Sequence, residues 1–326
     1  MIKNLRHSFR RVLQNIIILI VRPYVFRELP GWGRLYAAFV GDYRRNWFWA
    51  GAGIKSICGK QHGYVMRLDL SKWPDRIAYF LGRWYDLRTQ LLLPDLIRLG
   101  DTIVDVGANR GMFTLVASRL VGNTGKVICF EPNPNCFEIL EQEIASNEIK
   151  NVVVHRIGLG RQEEQLTLHV PVVNPGEGTF GNSPYCNDAI YQVYAQIALG
   201  DRVLANEKPT LIKMDVEGFE CNVISGLTEI INRDHPLILT EVIPAHLAHC
   251  GFTVAELVDL MHSLKYEGFS VGLKKNRGRY TCQLVPFEIQ GHTTDVVWLH
   301  RESTQHKTIL HHHAASLLSA QTAQTS

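Results

Sequence analysis

Long apolar runs are scarce in this 326-residue chain. The densest, Ile16–Ile20, has Gln14 and Asn15 just before it and Arg10, Arg11 and Arg22 at its flanks. It is well short of the roughly 20 apolar residues that a bilayer span needs. No small-residue cleavage site follows, so neither a membrane span nor a signal peptide is expected. Cysteine is sparse: seven, an odd number, at positions 58, 129, 136, 186, 221, 250 and 282, with no Cys-x-x-Cys pair. Reduced structural thiols in a cytosolic compartment follow, and bound zinc does not. Acidic residues are nearly missing from the first sixty positions, where 11 Lys/Arg stand against Glu28 and Asp42, a balance of +9. With a net charge of +3 overall, the rest of the chain carries −6. An acidic body argues against nucleic acid gripped across the whole surface. The G-x-G-x-x-G of a dinucleotide turn is also missing, and no internal repeat is apparent.

What the chain does have is Asp101-Thr-Ile-Val-Asp-Val-Gly-Ala-Asn-Arg-Gly111, the stretch around which the rest is organised. Ile103, Val104 and Val106 predict a short buried strand with Asp105 near its carboxyl end. Gly107 to Gly111 predicts a turn into a helix whose apolar face is Phe113, Val116, Ala117 and Leu120. The small residues Gly107, Ala108 and Gly111 let a ligand approach the backbone, and Asn109 tolerates left-handed angles. Exposed amides at the helix start would favour a carboxylate or phosphate. The next strand, Lys126–Phe130, ends at Glu131, where a carboxylate accepts hydrogen bonds from both hydroxyls of a ribose. The spelling Asp-x-Gly-x-Asn-x-Gly resembles the first motif of class I S-adenosylmethionine (SAM) methyltransferases, whose turn lies along the methionine part of the cofactor. An NAD-dependent oxidoreductase on a similar sheet is the competing reading.

Residues 1–60 form a basic, aromatic extension in which Trp32, Tyr36, Tyr43, Trp47, Phe48 and Trp49 alternate with Arg34, Arg44 and Arg45. That mixture suits a membrane interface or a helical lid on the catalytic body. Gly51, Gly53 and Gly59 loosen the chain before a domain expected over 61–302, with 61–100 as lead-in and 101–302 as core. Strands are expected over Val65–Leu70, Val152–Ile157, Leu166–Val170, Pro209–Asp215 and Leu237–Glu241, and helices follow most of them. Phe269 to Pro286 and Asp295–Leu299 are expected to pair as a terminal antiparallel hairpin. The stretch 171–188 reads as a long functional loop in which Thr179, Asn182, Ser183 and Tyr185 would meet a polar substrate. Beyond residue 302 a disordered tail is expected, with His311-His-His313 inconsequential. The alternation of strand and helix predicts an α/β, doubly wound, mostly parallel sheet.

Three motifs in register sharpen the comparison: Asp105-Val-Gly-Ala-Asn-Arg-Gly111, Phe130-Glu-Pro-Asn-Pro134 and Ile212-Lys-Met-Asp-Val-Glu-Gly218. Together they resemble the FkbM family of methyltransferases over roughly residues 62–300, and Tyr79-Phe-Leu-Gly82 and Tyr85 resemble its lead-in. Members commonly carry Thr-Leu-Asp before the fourth strand, where this chain has Ala198-Leu-Gly-Asp201. The resemblance implies a Rossmann-like, seven-stranded class I fold, to which residues 1–60, outside the resemblance, are expected to add an N-terminal helical extension. It also implies SAM-dependent O-methylation of a hydroxyl on a saccharide, glycolipid or secondary metabolite. Carried over residue by residue, it implies cofactor contacts from Asp105, Gly107, Ala108, Asn109, Gly111 and Glu131.

A hydroxyl attacks a methyl sulfonium only as its proton leaves, so a base in hydrogen-bond reach is expected. Asp215 is the first choice, since it ends the fourth strand, with Glu217 and Glu241 next. Lys213 lies on the same strand face as Asp215 and would pair with a carboxylate or steady the alkoxide. The three acids could instead hold a divalent cation, the less favoured alternative. His246 and His249 follow the fifth strand and are set aside as turn histidines. The expectation is a cytoplasmic enzyme, with peripheral contact on the inner face of the membrane open to residues 1–60. A non-catalytic, membrane-associated SAM-binding module is the third reading.

Overall fold

Apolar faces along the chain assemble two bodies, Met1–Leu87 and Arg88–Ser326. The computed structural model describes residues 2–172, 174, 176–181, 189–276, 279–289 and 294–322. Asn182, Ser183 and Tyr185 lie outside the described residues.

The first body holds α1 (Ile2–Phe26), α2 (Trp32–Phe39), α3 (Asn46–Trp49), the antiparallel pair β1 (Ile54–Cys58) and β2 (Val65–Asp69), and α4 (Trp73–Leu81). Val21, Val25, Tyr36, Trp49, Leu68 and Phe80 are buried in it. So is Arg76, whose guanidinium donates to the carbonyls of Leu70 (2.9 Å) and Asp42 (2.6 Å) and to the side-chain oxygen of Asn46 (3.1 Å). A buried cation is tolerated here because oxygens from three segments surround it. The segments β2 and α4, expected within the 61–100 lead-in, fall in this first body together with β1.

The second body runs through α5 (Leu87–Leu96), β3 (Thr102–Val106), α6 (Met112–Val121), β4 (Lys126–Phe130), α7 (Pro134–Ser146) and β5 (Val152–His155). The small strands β6 (Gly158–Gly160), β7 (Glu164–Pro171) and β8 (Ile190–Leu199) follow, then α8 (Gly200–Val203), β9 (Leu211–Met214), α9 (Glu220–Ser225) and α10 (Thr228–Asp234). The chain closes with β10 (Leu237–Val242), α11 (Pro244–His249), α12 (Val254–Ser263), β11 (Tyr266–Asn276), β12 (Arg279–Pro286), β13 (Thr294–His300) and α13 (Thr304–Thr322).

The main sheet has eight strands, not seven, in the order β12-β11-β13-β10-β9-β3-β4-β5. Its five strands from β10 to β5 are parallel and the other three antiparallel. Val104, Val106, Ile128, Phe130, Ile212 and Met214 pack on one face with residues of α9, α10 and α12. Ile103, Val127, Cys129, Leu211, Leu237 and Leu239 pack on the other with residues of α5, α6 and α7. Burial on both faces explains why these strands read as unbroken apolar runs. A second sheet, β6-β8-β7, sits in the same body.

Two C-terminal expectations are corrected. The antiparallel pairing of the Phe269 segment with the Asp295–Leu299 strand holds, Phe269 lying opposite Val297. The series from Phe269 to Pro286, however, is two strands and not one arm: it folds back on itself, Phe269 pairing with Pro286, while β13 slots between β10 and β11. The tail expected to be disordered carries α13, which buries Ile309 in the sheet's core and His306 beside the backbone of His300 (2.8 Å). His313 is buried too, 3.5 Å from Asp95 and 3.3 Å from the carbonyl of Cys282. A polar helix anchored by a few side chains gives little periodic signal to read. Among the described residues, no helix is long and apolar enough to cross a membrane.

Candidate active site

In the main sheet β3 has β4 on one side and β9 on the other, so the loops that leave these strands part and open a cleft at their carboxyl ends. The space in and above it is about 590 Å³, open solvent included. Gly107, Asn109, Glu131, Asp215 and Glu217 line it, and Leu168 of β7 and Phe180 add apolar wall.

The turn after β3 works through closeness. Gly107 has φ +74°, and a Cβ there would lie 2.0 Å from the carbonyl oxygen of Asp215. Only glycine fits this approach of two backbones. The amides of Gly107 and Ala108 both donate to the Phe130 carbonyl (2.9 and 3.1 Å), and that of Gly111 to Ala108 (2.9 Å). These three donors are spent inside the turn, which holds it against β4. The amide of Asn109 (φ +53°) donates to Glu131 Oε2 at 2.7 Å, and that of Asn133 to Oε1 at 2.8 Å. Burial still pushes the Glu131 pKa up to about 7 against these two donors. The side-chain oxygen of Asn109 is buried with no hydrogen-bond partner among the described residues.

Asp105 does not line the cleft. It is fully buried, accepting from the Thr114 hydroxyl (2.6 Å) and facing Lys213 Nζ at 3.3 Å, its register partner on β9. The direct cofactor contact expected of Asp105 is not seen in its placement, since its side chain faces Lys213 and not the cleft. Lys213 also lies 3.5 Å from Asp215 and donates to the Gly107 carbonyl at 3.2 Å. Burial works to neutralise Lys213, but the carboxylates of Asp105 and Asp215 outweigh it and hold its pKa above the ordinary lysine value.

Glu217 (φ +52°) has its carboxylate 2.5 Å from His246 Nδ1 on α11. Burial raises the Glu217 pKa, and the close approach of His246 opposes that rise; the same contact raises His246. Gly218 (φ +99°) makes the pairing possible, because a Cβ there would meet the His246 carbonyl oxygen at 2.1 Å. Beneath this loop Glu220 is buried, accepting from the amides of Val216 and Gly218 at 3.4 Å, with its pKa pushed up to about 7 by burial. Glu241 stands off the cleft wall. Burial first, then the nearby Asp215 and its cross-strand neighbour Asp295, push its pKa up to about 9, so it is protonated at neutral pH. Thr179, expected to meet substrate, gives its hydroxyl to the Glu217 carbonyl (3.0 Å).

Sequence reasoning missed His246 and Glu220. The third acid of the run Asp215, Glu217, Glu220 was visible as a signal; the partnership of His246 was not, because it rests on how α11 packs. The displaced Asp201 has a structural task, accepting from the amides of Glu229 and Ile230 (3.0 Å each) at the start of α10. Among the described residues no cluster of three or more His, Cys, Asp or Glu is arranged to hold a metal ion.

Comparison with known proteins gives this site its context. Residues 105–268 match the methyltransferase FkbM domain. The chain is 27% identical over 169 residues to "Methyltransferase 1" of Beauveria bassiana, a match covering 46% of this chain and 65% of that protein, less than two thirds of its length. It is 23% identical over 260 residues to the hexuronic acid methyltransferase AglP of Haloferax volcanii, covering 71% of this chain and 95% of that one. A solved methyltransferase FkbM from Methylobacillus flagellatus aligns with a TM-score of 0.38 at 14% identity, over 68% of this chain and 52% of that structure. The three sequence motifs and the domain match span the same half of the chain, and the protein belongs to the FkbM methyltransferase family.

Proposed function

We propose that the protein transfers the methyl group of SAM to a hydroxyl of a saccharide or glycolipid acceptor. The observation that carries this is a single cleft in which the Gly107 turn, the Glu131 carboxylate and Asp215 converge. The residues present fit the cofactor. Gly107 lines the cleft with bare backbone, Glu131 keeps acceptor lone pairs for ribose hydroxyls, and the buried, unpartnered oxygen of Asn109 offers one more acceptor. Asp215 and Glu217 make the far wall acidic, which suits a sulfonium. SAM, when bound, supplies an electrophilic methyl group.

The chain's own residues then do the rest. Asp215 lines the cleft with its side chain about one third exposed (36%), and it takes the proton from the acceptor hydroxyl. Lys213, held cationic by Asp105, fixes the Asp215 carboxylate and ties the two backbones together through the Gly107 carbonyl. Glu241, protonated near neutral pH, is no base there. The Glu217–His246 pair favours a second reading of the proton path, in which Glu217 receives the proton and His246 positions its carboxylate. A glycan acceptor is supported by the likeness to a hexuronic acid methyltransferase.

Titration calorimetry with SAM tests the assignment. Binding is expected to tighten as pH rises through about 7, because ribose hydroxyls donate to an ionised Glu131. Glu131→Ala should weaken binding by about 10- to 100-fold, as loss of a charged hydrogen-bond acceptor does. A wild-type protein that takes up no SAM would remove the proposal.

A further inference from the structure

Helix α1 has two apolar faces, and folding needs only one. Ile17, Val21 and Val25 are buried in the first body, and Gln14 beside them donates its side-chain amide to the Phe48 carbonyl (2.5 Å). On the other side Phe9, Val12, Leu13, Ile16, Leu19 and Ile20 face solvent, with Phe9 72%, Leu19 75% and Ile20 67% exposed. At about 100° per residue these six fall within an arc of about 120°, a continuous stripe and not a scatter. Exposed apolar side chains in a contiguous stripe mark a contact surface.

Charge says what kind. The helix contains Lys3, Arg6, Arg10, Arg11 and Arg22 and no acid. Arg10 ties it to the backbone of Trp47 (2.9 Å), and Trp47 is itself 69% exposed, with Tyr43 exposed nearby in sequence. Indole and phenol rings with arginines are the composition of the boundary between headgroups and acyl chains. The helix does not qualify as a span, so it would lie in the plane of the boundary with its stripe inserted. Anionic headgroups complement a helix that has cations and no acid.

We infer that the Phe9–Ile20 face of α1 docks the protein on an anionic lipid bilayer. The test is co-sedimentation of the full-length protein with vesicles of mixed phosphatidylglycerol and phosphatidylcholine, against vesicles of phosphatidylcholine alone. Wild type is expected to sediment with the mixed vesicles, and less so as salt is added. The double variant Leu19→Gln/Ile20→Gln, which keeps charge and helix propensity, should lose at least about tenfold in partitioning. Arg11→Gln, at an exposed position, should lose about fivefold. Circular dichroism of both variants checks that α1 is intact. Equal sedimentation of wild type and double variant would overturn the inference. So would a wild type that stays in solution with both vesicle types, above all if light scattering shows a dimer that the double variant abolishes.

Discussion

Both oxygens of the Glu131 carboxylate are held by backbone amides, from Asn109 on the turn after β3 and from Asn133 at the start of α7. One side chain thus sets the width of the cleft and the direction of its own remaining lone pairs. Gly107 performs the matching task on the other wall. Gly107→Ala would place a methyl group 2.0 Å from the Asp215 carbonyl at a φ of +74°. The variant should lose about 2 kcal/mol or more of stability, from clash and left-handed strain together. Thermal melting reads the loss, and SAM titration should show the site gone while the far-UV spectrum stays. Both residues were legible in the sequence, because the turn spelling and the acid closing the next strand are local patterns. Asp105 was legible as important but not in its role. Whether a carboxylate at a strand end faces a ligand or a buried lysine depends on the neighbouring strand, and here that neighbour is Lys213.

At the scale of elements, spacing identified the parallel strands β3, β4, β9 and β10 to within a few residues, and missed what depends on distant pairing. Strand β8 is hidden in the sequence because apolar Ile190 and Tyr194 stand on its exposed face and mask the alternation of its burial, its partners being β6 and β7 and not the main sheet. Helix α13 was taken for a loose tail, since its few buried contacts are separated by polar residues. Asp201 is the element-scale example with a direct test. Its carboxylate serves the first turn of α10 from outside the helix, doing what a residue at the helix start would do. Asp201→Ala should cost about 1 kcal/mol. In a body of this size that lowers the melting temperature by about 2–4 °C, with SAM binding unchanged. The one-residue displacement of this aspartate from the common family spelling therefore bears on α10 and not on the cleft.

At the scale of the whole molecule, the second body buries several acids whose protons are held more tightly than in the unfolded chain. Glu131 and Glu220 titrate near 7 and Glu241 near 9, against an ordinary 4.5. Between those values the folded protein keeps protons that the unfolded chain releases, so stability falls as pH rises. A single such group contributes up to about 1.4 kcal/mol per pH unit. Glu241→Gln, which imitates the protonated acid, should flatten the melting profile between about 4.5 and about 9. The variant should be indistinguishable from wild type at the acid end and more stable at the alkaline end. Equal slopes in the two proteins would show that Glu241 ionises freely. The order of strands has its own consequence for how the chain is made. Because β13 lies between β10 and β11, the sheet stays split, with two bare edges, until residues 294–300 have left the ribosome. A nascent chain is thus exposed to edge-to-edge pairing with its neighbours until that strand has emerged, and β13 acts as the wedge that locks the two parts together.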